Sequence, residues 1–546
     1  MFSVPGNFIG SRMKRNLILL TILLTALSAF SAEYYVDASR PDDSGAGTSW
    51  AMAKQTIQAA VDLTIDGDTV WVTNGTYVLS AEIYITNAIT LCSVNGPEVT
   101  IVDGNGATRC FNLSDACLVS GFAITNGFAS GEYPYWNGGG IYCSTPFSVV
   151  SNCVISGNSI GYGNDFGRSD GGGMSGGFAV DCVFSGNTAG GGGGMCSGVA
   201  SNCTFIWNLA EGSGPLFNNP GSFGGGGMSD GTAYNCTFTS NSANWSGGAM
   251  ERGTAYNSTF NYNGASYGGG GLSVSTAYGC VFRGNSSYCG GGMGVGRAVN
   301  CTFINNSASY GGGIFFSDNW AEQGIAVYNC IFFGNTASGE NNDISKPVAY
   351  NSCSSELTHG VNGNITNAPL FVDAANGNFR LQSNSPCINW GNNSVVSNAT
   401  DLAGNPRIVE GTVDMGAYEY QGIIDLADSD ADGIADDWER QHGGNQNPGG
   451  TCSNGVNTIL QAYIAGLEPN DPNSKLLTSV FRSPTSGNEL QWPGVSGRVY
   501  SVYFSTNLLN GFQPLATNIP WTAGAFTDTV HSAQGQGFYK IGVELK

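Results

Sequence analysis

Residues 428–439 read DSDADGIADDWE. Asp428, Asp430, Asp432, Asp436 and Glu439 are spaced to turn five carboxylates toward one point, and Ile434 adds a backbone carbonyl. Calcium takes six to eight oxygens, including a bidentate Glu at the last place of such a loop, with Gly at the sixth place for a sharp turn. Gly433 holds that place. The loop is expected to bind one structural calcium ion. A companion segment, GTCSNGVNTILQAYIAGLEPNDP (450–472), follows. In it Gly450, Cys452 and Asn454 stand where acids belong and Gln461 replaces the closing Glu, so no metal is expected there. Its NTILQAYIAG stretch is expected to form a helix packed on the one leaving the first loop.

Other residues with chemical potential lie in three stretches: GFASGEYPYWN (127–137), SIGYGNDFGRSD (159–170) and LAEGSGPLFNNPGSFG (209–224). They carry the aromatic residues Tyr133, Tyr135, Trp136, Tyr162, Phe166, Phe217 and Phe223. They also carry Glu132, Asp165, Arg168, Asp170 and Glu211. Aromatic rings stack on the apolar face of a sugar while carboxylates accept its hydroxyl protons. Tyr133, Tyr135, Trp136, Tyr162, Phe166 and Phe217 are therefore the expected carbohydrate-binding residues. Arg168 with Asp165 and Asp170 could support elimination from a uronate, and Asp170 with Glu211 could support hydrolysis by two carboxylates. Neither set forms a motif, so Arg168, Asp170 and Glu211 are candidates without a pattern behind them. Three His in the chain leave no credible Ser–His–Asp arrangement. Arg252, Arg283 and Arg297 are expected to be solvated, in the turns after glycine runs.

A repeat must position these stretches. Asn-Cys-x-Phe-x-x-Asn, or a close variant, recurs with Cys153, Cys182, Cys203, Cys236, Ser258, Cys280, Cys301 and Cys330. Two residues later stand Ile155, Phe184, Phe205, Phe238, Phe260, Phe282, Phe303 and Phe332. Five residues after each Cys or Ser comes Asn, from Asn158 to Asn335, and a glycine run then precedes Met174, Met195, Met228, Met250, Leu272, Met293 and Ile314. The shortest spacing, Cys280 to Cys301, is 21 residues. A fixed period of this size signals a solenoid, and the alternation at Cys-x-Phe has the period of a strand. One short-stranded turn per repeat gives a parallel β-helix with like residues stacked about 4.8 Å apart. Stacked Asn amides can bond along the axis, and glycines give tight corners. The three long stretches all interrupt one corner, so they are expected on one side of the solenoid.

The FxxN and GG-aliphatic pairs resemble the repeats of polymorphic outer membrane proteins, and the fold they imply resembles the pectin-lyase-like right-handed parallel β-helix. The opening YYVDASRPDDSGAGTSWAMAKQTIQAAVDLTIDGDTVWVTNGTY (34–77) is similar to the start of such bacterial proteins. Within it Ile57, Ala60 and Val61 share one face of a short helix that would cap the open coil. NSPCINWGNN and DLAGNPRIVEGTVDMGAYEY, within 384–420, are similar to their closing segment. The paired loops at 421–474 resemble those of dockerins and thrombospondin type 3 linkers. The resemblance implies an all-β architecture and an extracellular setting, with little said about activity.

Composition narrows the functions. The 546 residues include 83 Gly, and charged residues make up 11%. The net charge of −21 argues against nucleic acid as a partner. Lys14 and Arg15 precede the apolar run Leu17–Leu27 and the small residues Ala29, Ser31 and Ala32, which reads as an export signal over 1–32. A short membrane anchor is the other reading, and no other stretch is long enough to span a bilayer. Export permits disulfides among the 16 Cys, yet the ladder of seven reads more simply as buried thiols. The organisation expected is a β-helix over 33–420, a calcium-binding linker over 421–474 and a small β-sandwich over 475–546. The function expected is that of a secreted or cell-surface protein that binds or adheres to glycan. A polysaccharide lyase or glycoside hydrolase on the same fold, or a structural envelope spacer, stays open, as does the oligomeric state.

Overall fold

The computed structural model describes residues 31–130, 137–161, 171–212, 224–316, 326–346, 348–409, 411–422, 433–435, 438–439, 442, 447–483, 487–507, 511–531 and 537–545. The chain divides into two compact units, one running to Leu381 and then from Cys387 to Gln421, the other formed mainly by the residues after Gln421.

The first unit is a parallel β-helix. Among the described residues its coils build sheets of thirteen, eleven, eight and six parallel strands. One coil shows the path. Val149–Ser151 lies in the thirteen-stranded sheet, Val154–Ser156 in the eleven-stranded, Ser159–Ile160 in the six-stranded and Met174–Ser175 in the eight-stranded sheet. Every repeat position expected to stack does so. Phe205 pairs with Phe238 and Phe238 with Phe260, and their rings stack 4.6 and 5.0 Å apart. Met195 pairs with Met174 and Met228, all fully buried. Gly193 shows why the corner before the methionines needs glycine. A Cβ there would meet the Leu209 carbonyl at 2.4 Å and that of Gly226 at 2.6 Å.

Asparagine binds the coils together. Asn263 Oδ1 accepts both the backbone and side-chain N–H of Asn241, at 2.9 and 3.0 Å. Its own Nδ2 donates to the Phe238 carbonyl and to Asn285 Oδ1, each at 3.0 Å. The same bonds link Asn158, Asn187, Asn208, Asn241, Asn263, Asn285, Asn306 and Asn335. At the end Asn335 Nδ2 donates to Asp343 Oδ1, whose other oxygen accepts from Ser354. Burial pushes the Asp343 carboxyl up.

The cysteines explain themselves in the same terms. All 16 are free thiols. Each ladder thiol donates to the carbonyl two residues back, as Cys203 does to Ser201 at 3.3 Å and Cys330 to Tyr328 at 3.1 Å. Ser258 makes the same bond to Tyr256 at 2.8 Å. A small side chain with one donor closes the corner, and Cys adds apolar bulk.

At the N-terminal end the helix Ile57–Val61 buries Ile57, Ala60 and Val61. The closing segment folds back over the corner that precedes the eleven-stranded sheet, using corner asparagines as handles. Asn329 Nδ2 donates to the Asn392 carbonyl, Asn300 Nδ2 to that of Asp414, and Asn257 Nδ2 to that of Thr400. Inside the segment Arg407 and Glu419 are buried 3.7 Å apart. Burial and then the Asp414 carboxylate push Glu419 up to about 8, against the pull of Arg407 and of two backbone N–H donors.

In the second unit Thr458 and Gln461 form a capping box at the start of the helix Ile459–Ala465, and Gly466 ends it with φ 67°. Gln461, which departs from the calcium-loop pattern, thus serves the helix start. Ile459 and Ala462 cluster with Ile434 and Cys452, and Trp438 meets Tyr463 edge-on at 5.3 Å, so this helix packs on the segment leaving the first loop. Ser479–Ser483, Gly487–Gln491 and Ala525–Asp528 form one antiparallel sheet, and Gln513–Pro520, Arg498–Ser505 and Phe538–Leu545 another. Leu490 and Trp492, from the first sheet and the turn after it, share a core with Tyr500 and Val502 of the second. Among the described residues no helix is long and apolar enough to cross a membrane.

Phe260→Ala should cost about 3–5 kcal/mol in denaturant unfolding, and Asn263→Ala about 3 kcal/mol through the donors it strands. A loss under about 1 kcal/mol would contradict the ladders. Glu419 holds its proton more tightly folded than unfolded. Its contribution is full below about pH 4.5 and is lost as the pH rises through about 8. Unfolding midpoints should therefore fall between about pH 5 and pH 9, and Glu419→Gln should lessen that fall.

Candidate functional site

The three long stretches leave the solenoid at one corner. Ala129 pairs with Ile160, Ser159 with Thr188 and Thr188 with Leu209, all in the six-stranded sheet. Each insertion begins directly after one of these strands, so register places their roots in one line. Tyr133, Tyr135, Trp136, Tyr162, Phe166, Phe217, Phe223, Glu132, Asp165, Arg168 and Asp170 lie outside the described residues. Glu211 is described and exposed; its carbonyl accepts a hydrogen bond from Asn244 Nδ2 at 3.1 Å.

Beyond the last insertion the same corner carries a feature that the repeat analysis passed over. Trp245, Tyr267, Tyr288 and Tyr310 stand on successive coils. Trp245 and Tyr267 are stacked at 4.6 Å and Tyr267 and Tyr288 at 6.1 Å, while Tyr288 and Tyr310 meet edge-on at 5.6 Å. Tyr267 is 50% exposed and Tyr288 47%. The signal was present in NWSGG, SYGGG, SYCGG and SYGGG: one aromatic residue shortly before each glycine run. The recurring glycines set the frame of the repeat, while the residue before them differs from coil to coil.

The ladder's geometry limits what it can do. Where rings face one another, their edges and hydroxyls point outward. Trp245 heads the stack, with Tyr267 on one face. By the register of Ala243 with Ala210, its other face turns toward the coil of Glu211 and Gly212. At the far end the Tyr310 phenol beside Tyr288 pushes the Tyr288 hydroxyl up. Glu251 lies at the ridge's base, 7% exposed, and accepts a hydrogen bond from Ser246 Oγ at 2.8 Å. This ridge offers an indole face, a row of phenol edges and two carboxylates, a set suited to hydroxyl-rich ligands.

The arginines correct the sequence reading. Arg252 does occupy a corner, with φ 50°, and binds Asp230 through two nitrogens at 2.9 and 2.7 Å. Arg283 and Arg297 stand on strands instead, their guanidinium groups 5.7 Å from the Tyr262 ring and 5.4 Å from that of Tyr328. Each belongs to the alternation of a strand rather than to a glycine turn, and its side chain faces outward.

Of the residues expected to bind calcium, Asp428, Asp430, Asp432 and Asp436 lie outside the described residues. Gly433 has φ 93°, Ile434 is fully buried and Glu439 is 4% exposed. In the companion loop Asn454 Oδ1 accepts the N–H groups of Val456 and Asn457, and its Nδ2 donates to Asn457 Oδ1 and to the Ser474 carbonyl. An amide therefore ties that loop from within. Among the described residues no group of three or more His, Cys, Asp and Glu side chains could hold a metal ion.

No known family profile matches the chain, and no curated protein matches it. Solved structures do resemble it. Pectate lyase Pel9A is 14% identical, with 72% of this chain and 97% of that one covered and a TM-score of 0.34. The alginate lyase AlyGC, of the PL6 family, is 13% identical, with 60% and 54% covered and a TM-score of 0.36. XylC in complex with xylose is 10% identical, with 71% and 99% covered and a TM-score of 0.35. Likeness this weak carries no argument about activity. The assignment as a parallel β-helix rests on the chain's own strand register.

Proposed function

We propose that the protein is exported and binds glycan through the ridge of inserted stretches and stacked aromatic residues. The observation that supports this most is the line of Trp245, Tyr267, Tyr288 and Tyr310 on the corner from which all three insertions leave. A rigid scaffold that carries long inserts and exposed rings on one edge concentrates its recognition there. The aromatic residues expected from sequence, Tyr133, Tyr135, Trp136, Tyr162, Phe166 and Phe217, would extend the same edge. The basic and apolar run before Ala32 supports export, and the second unit would serve as a terminal module outside the cell.

A catalytic reading has one observation in its favour. Glu251 is a nearly buried carboxylate at the base of the ridge, and Glu211 stands on the preceding coil. Two carboxylates beside a sugar-binding edge are what a glycoside hydrolase requires. Elimination from a uronate would draw instead on Arg168 and Asp170.

The loop at 428–439 is proposed to take one structural calcium ion through Asp428, Asp430, Asp432, Asp436, Glu439 and the Ile434 carbonyl. The left-handed Gly433 and the buried Glu439 fit such a loop. When bound, the ion would neutralise clustered acids and stiffen the linker.

The experiment is a screen of the purified protein against neutral and acidic polysaccharides, with retention and product formation followed together. Trp245→Ala should weaken retention about tenfold, or about 1.4 kcal/mol, without lowering the melting temperature. Retention without new reducing ends or unsaturated uronates supports binding alone, whereas products that vanish in Glu251→Gln support the hydrolase. Unchanged retention in Trp245→Ala removes the ridge from consideration. Separately, calcium should raise the melting temperature of the second unit's transition in the full chain, and Asp432→Ala should abolish that rise; an equal rise in the variant would place the ion elsewhere.

A further inference from the structure

We propose that the outward face of the eleven-stranded sheet, across the coils of Trp207 to Arg283, is a second saccharide site that takes a sugar bearing a carboxylate. The ridge lies on another edge of the solenoid, and this inference does not depend on it.

The first observation is backbone strain at two exposed rings. The corner after this sheet runs through Asn126, Gly157, Gly186, Trp207, Ser240, Tyr262, Gly284, Asn305 and Gly334, all with φ between 51° and 67°. Glycine and asparagine suit that region; bulky side chains resist it. Trp207 and Tyr262 occupy it nonetheless, and they are 66% and 55% exposed. Strain of this kind persists at sites where the side chain has a task. Gly284 makes room for one of them, since a Cβ there would lie 2.6 Å from the Tyr262 ring.

The second observation is the surface beside these rings. Phe238 and Phe260 point inward, so Thr237, Thr239, Thr259 and Asn261 point outward. Thr259 Oγ1 lies 3.2 Å from Thr237 Oγ1. Across the strands the closing segment raises the opposite wall. It encloses a cleft of about 490 Å³ lined by Asn235, Thr237, Asn257, Thr259, Thr400 and Tyr418, with the turn at Leu402–Gly404. From cleft to aromatic corner is three residues of strand, about 10 Å, enough for two linked sugar rings. Hydroxyls and amides form the floor and rings form the rim.

The third observation is charge. Arg283 stands between Tyr262 and Phe379, 5.7 Å from each ring, and Arg380 lies 4.9 Å from the Tyr418 ring. Among the described residues neither has an ion pair, in a chain with 40 acids and 19 bases. The acid beside the cleft, Asp401, has its oxygens occupied by the N–H groups of Ala403, Asn405 and Glu419. Each guanidinium group is thus left to a ligand's carboxylate, the partner that arginine binds through a charge-assisted fork.

The test is calorimetric titration of the full chain with a trimer of galacturonic acid and with the same trimer reduced to neutral galactose. The acidic trimer should bind at least about tenfold more tightly, and Arg283→Gln should erase the difference. Trp207→Gly and Tyr262→Gly should each lose binding while the melting temperature stays level or rises, because neighbouring coils carry glycine at that place. A purely structural role would lower it. Unchanged binding in both glycine variants, a retained acid preference in Arg283→Gln, or no binding of either trimer would overturn the proposal. Trp245→Ala, titrated in parallel, separates the two sites. Loss in that variant alone overturns the second site and keeps the ridge; loss in the glycine variants alone does the reverse.

Discussion

The asparagine ladder is the interaction on which the rest of the first unit depends. A coil of two- and three-residue strands has too few ladder bonds within itself to hold a corner. Along the ladder an amide oxygen takes two N–H groups from the coil before it, and an amide nitrogen gives to that coil's phenylalanine or isoleucine carbonyl and to the next amide. All four bonds are buried, where an unmade bond is costly. The ladder therefore fixes register, and register makes phenylalanine fall on phenylalanine and methionine on methionine. Its far end requires a group that only accepts, and Asp343 supplies one.

Much of this was legible because it repeats. The Cys, Phe, Asn and Met positions announce themselves by period, and strand alternation tells which of them face inward. What repetition cannot show is what differs from coil to coil. Trp245 and Tyr267 varied in identity next to invariant glycines, so they read as filler. Trp207 and Tyr262 differ from the glycine or asparagine that the corner prefers, and φ, which the sequence does not print, is what marks them as unusual. The glycine after Arg283 suggests a turn, whereas its place is set by the inward Phe282 beside it. The candidate site is thus written in the departures from the repeat, and a method that aligns repeats discards them.

The closing segment shows a different limit. Its acids and Arg407 could be seen in sequence, but their partners could not. Asn257, Asn300 and Asn329 stand at corners whose equivalents elsewhere face solvent, and here they carry a segment more than 60 residues away in the chain. The same residue type is a free corner in one coil and an anchor in another. Only the return path of the chain distinguishes them. That path also builds the wall of the cleft over Thr237 and Thr259, so one packing event both seals the end of the sheet and shapes its open part.

The head-to-tail order of the amides carries a last consequence. Every asparagine presents the same acceptor backward and the same donor forward, so any coil can follow any other. The length of the solenoid is thereby quantised. Removing the stretch from Asn241 to just before Asn263, a whole rung of 22 residues, would rejoin equivalent groups, whereas losing a single strand residue would turn the interior outward. The corner where the three insertions leave tolerates added length without disturbing the strands on either side. A molecule built this way can lengthen by copying whole rungs and diversify by decorating its corners, and the two kinds of change need not interfere.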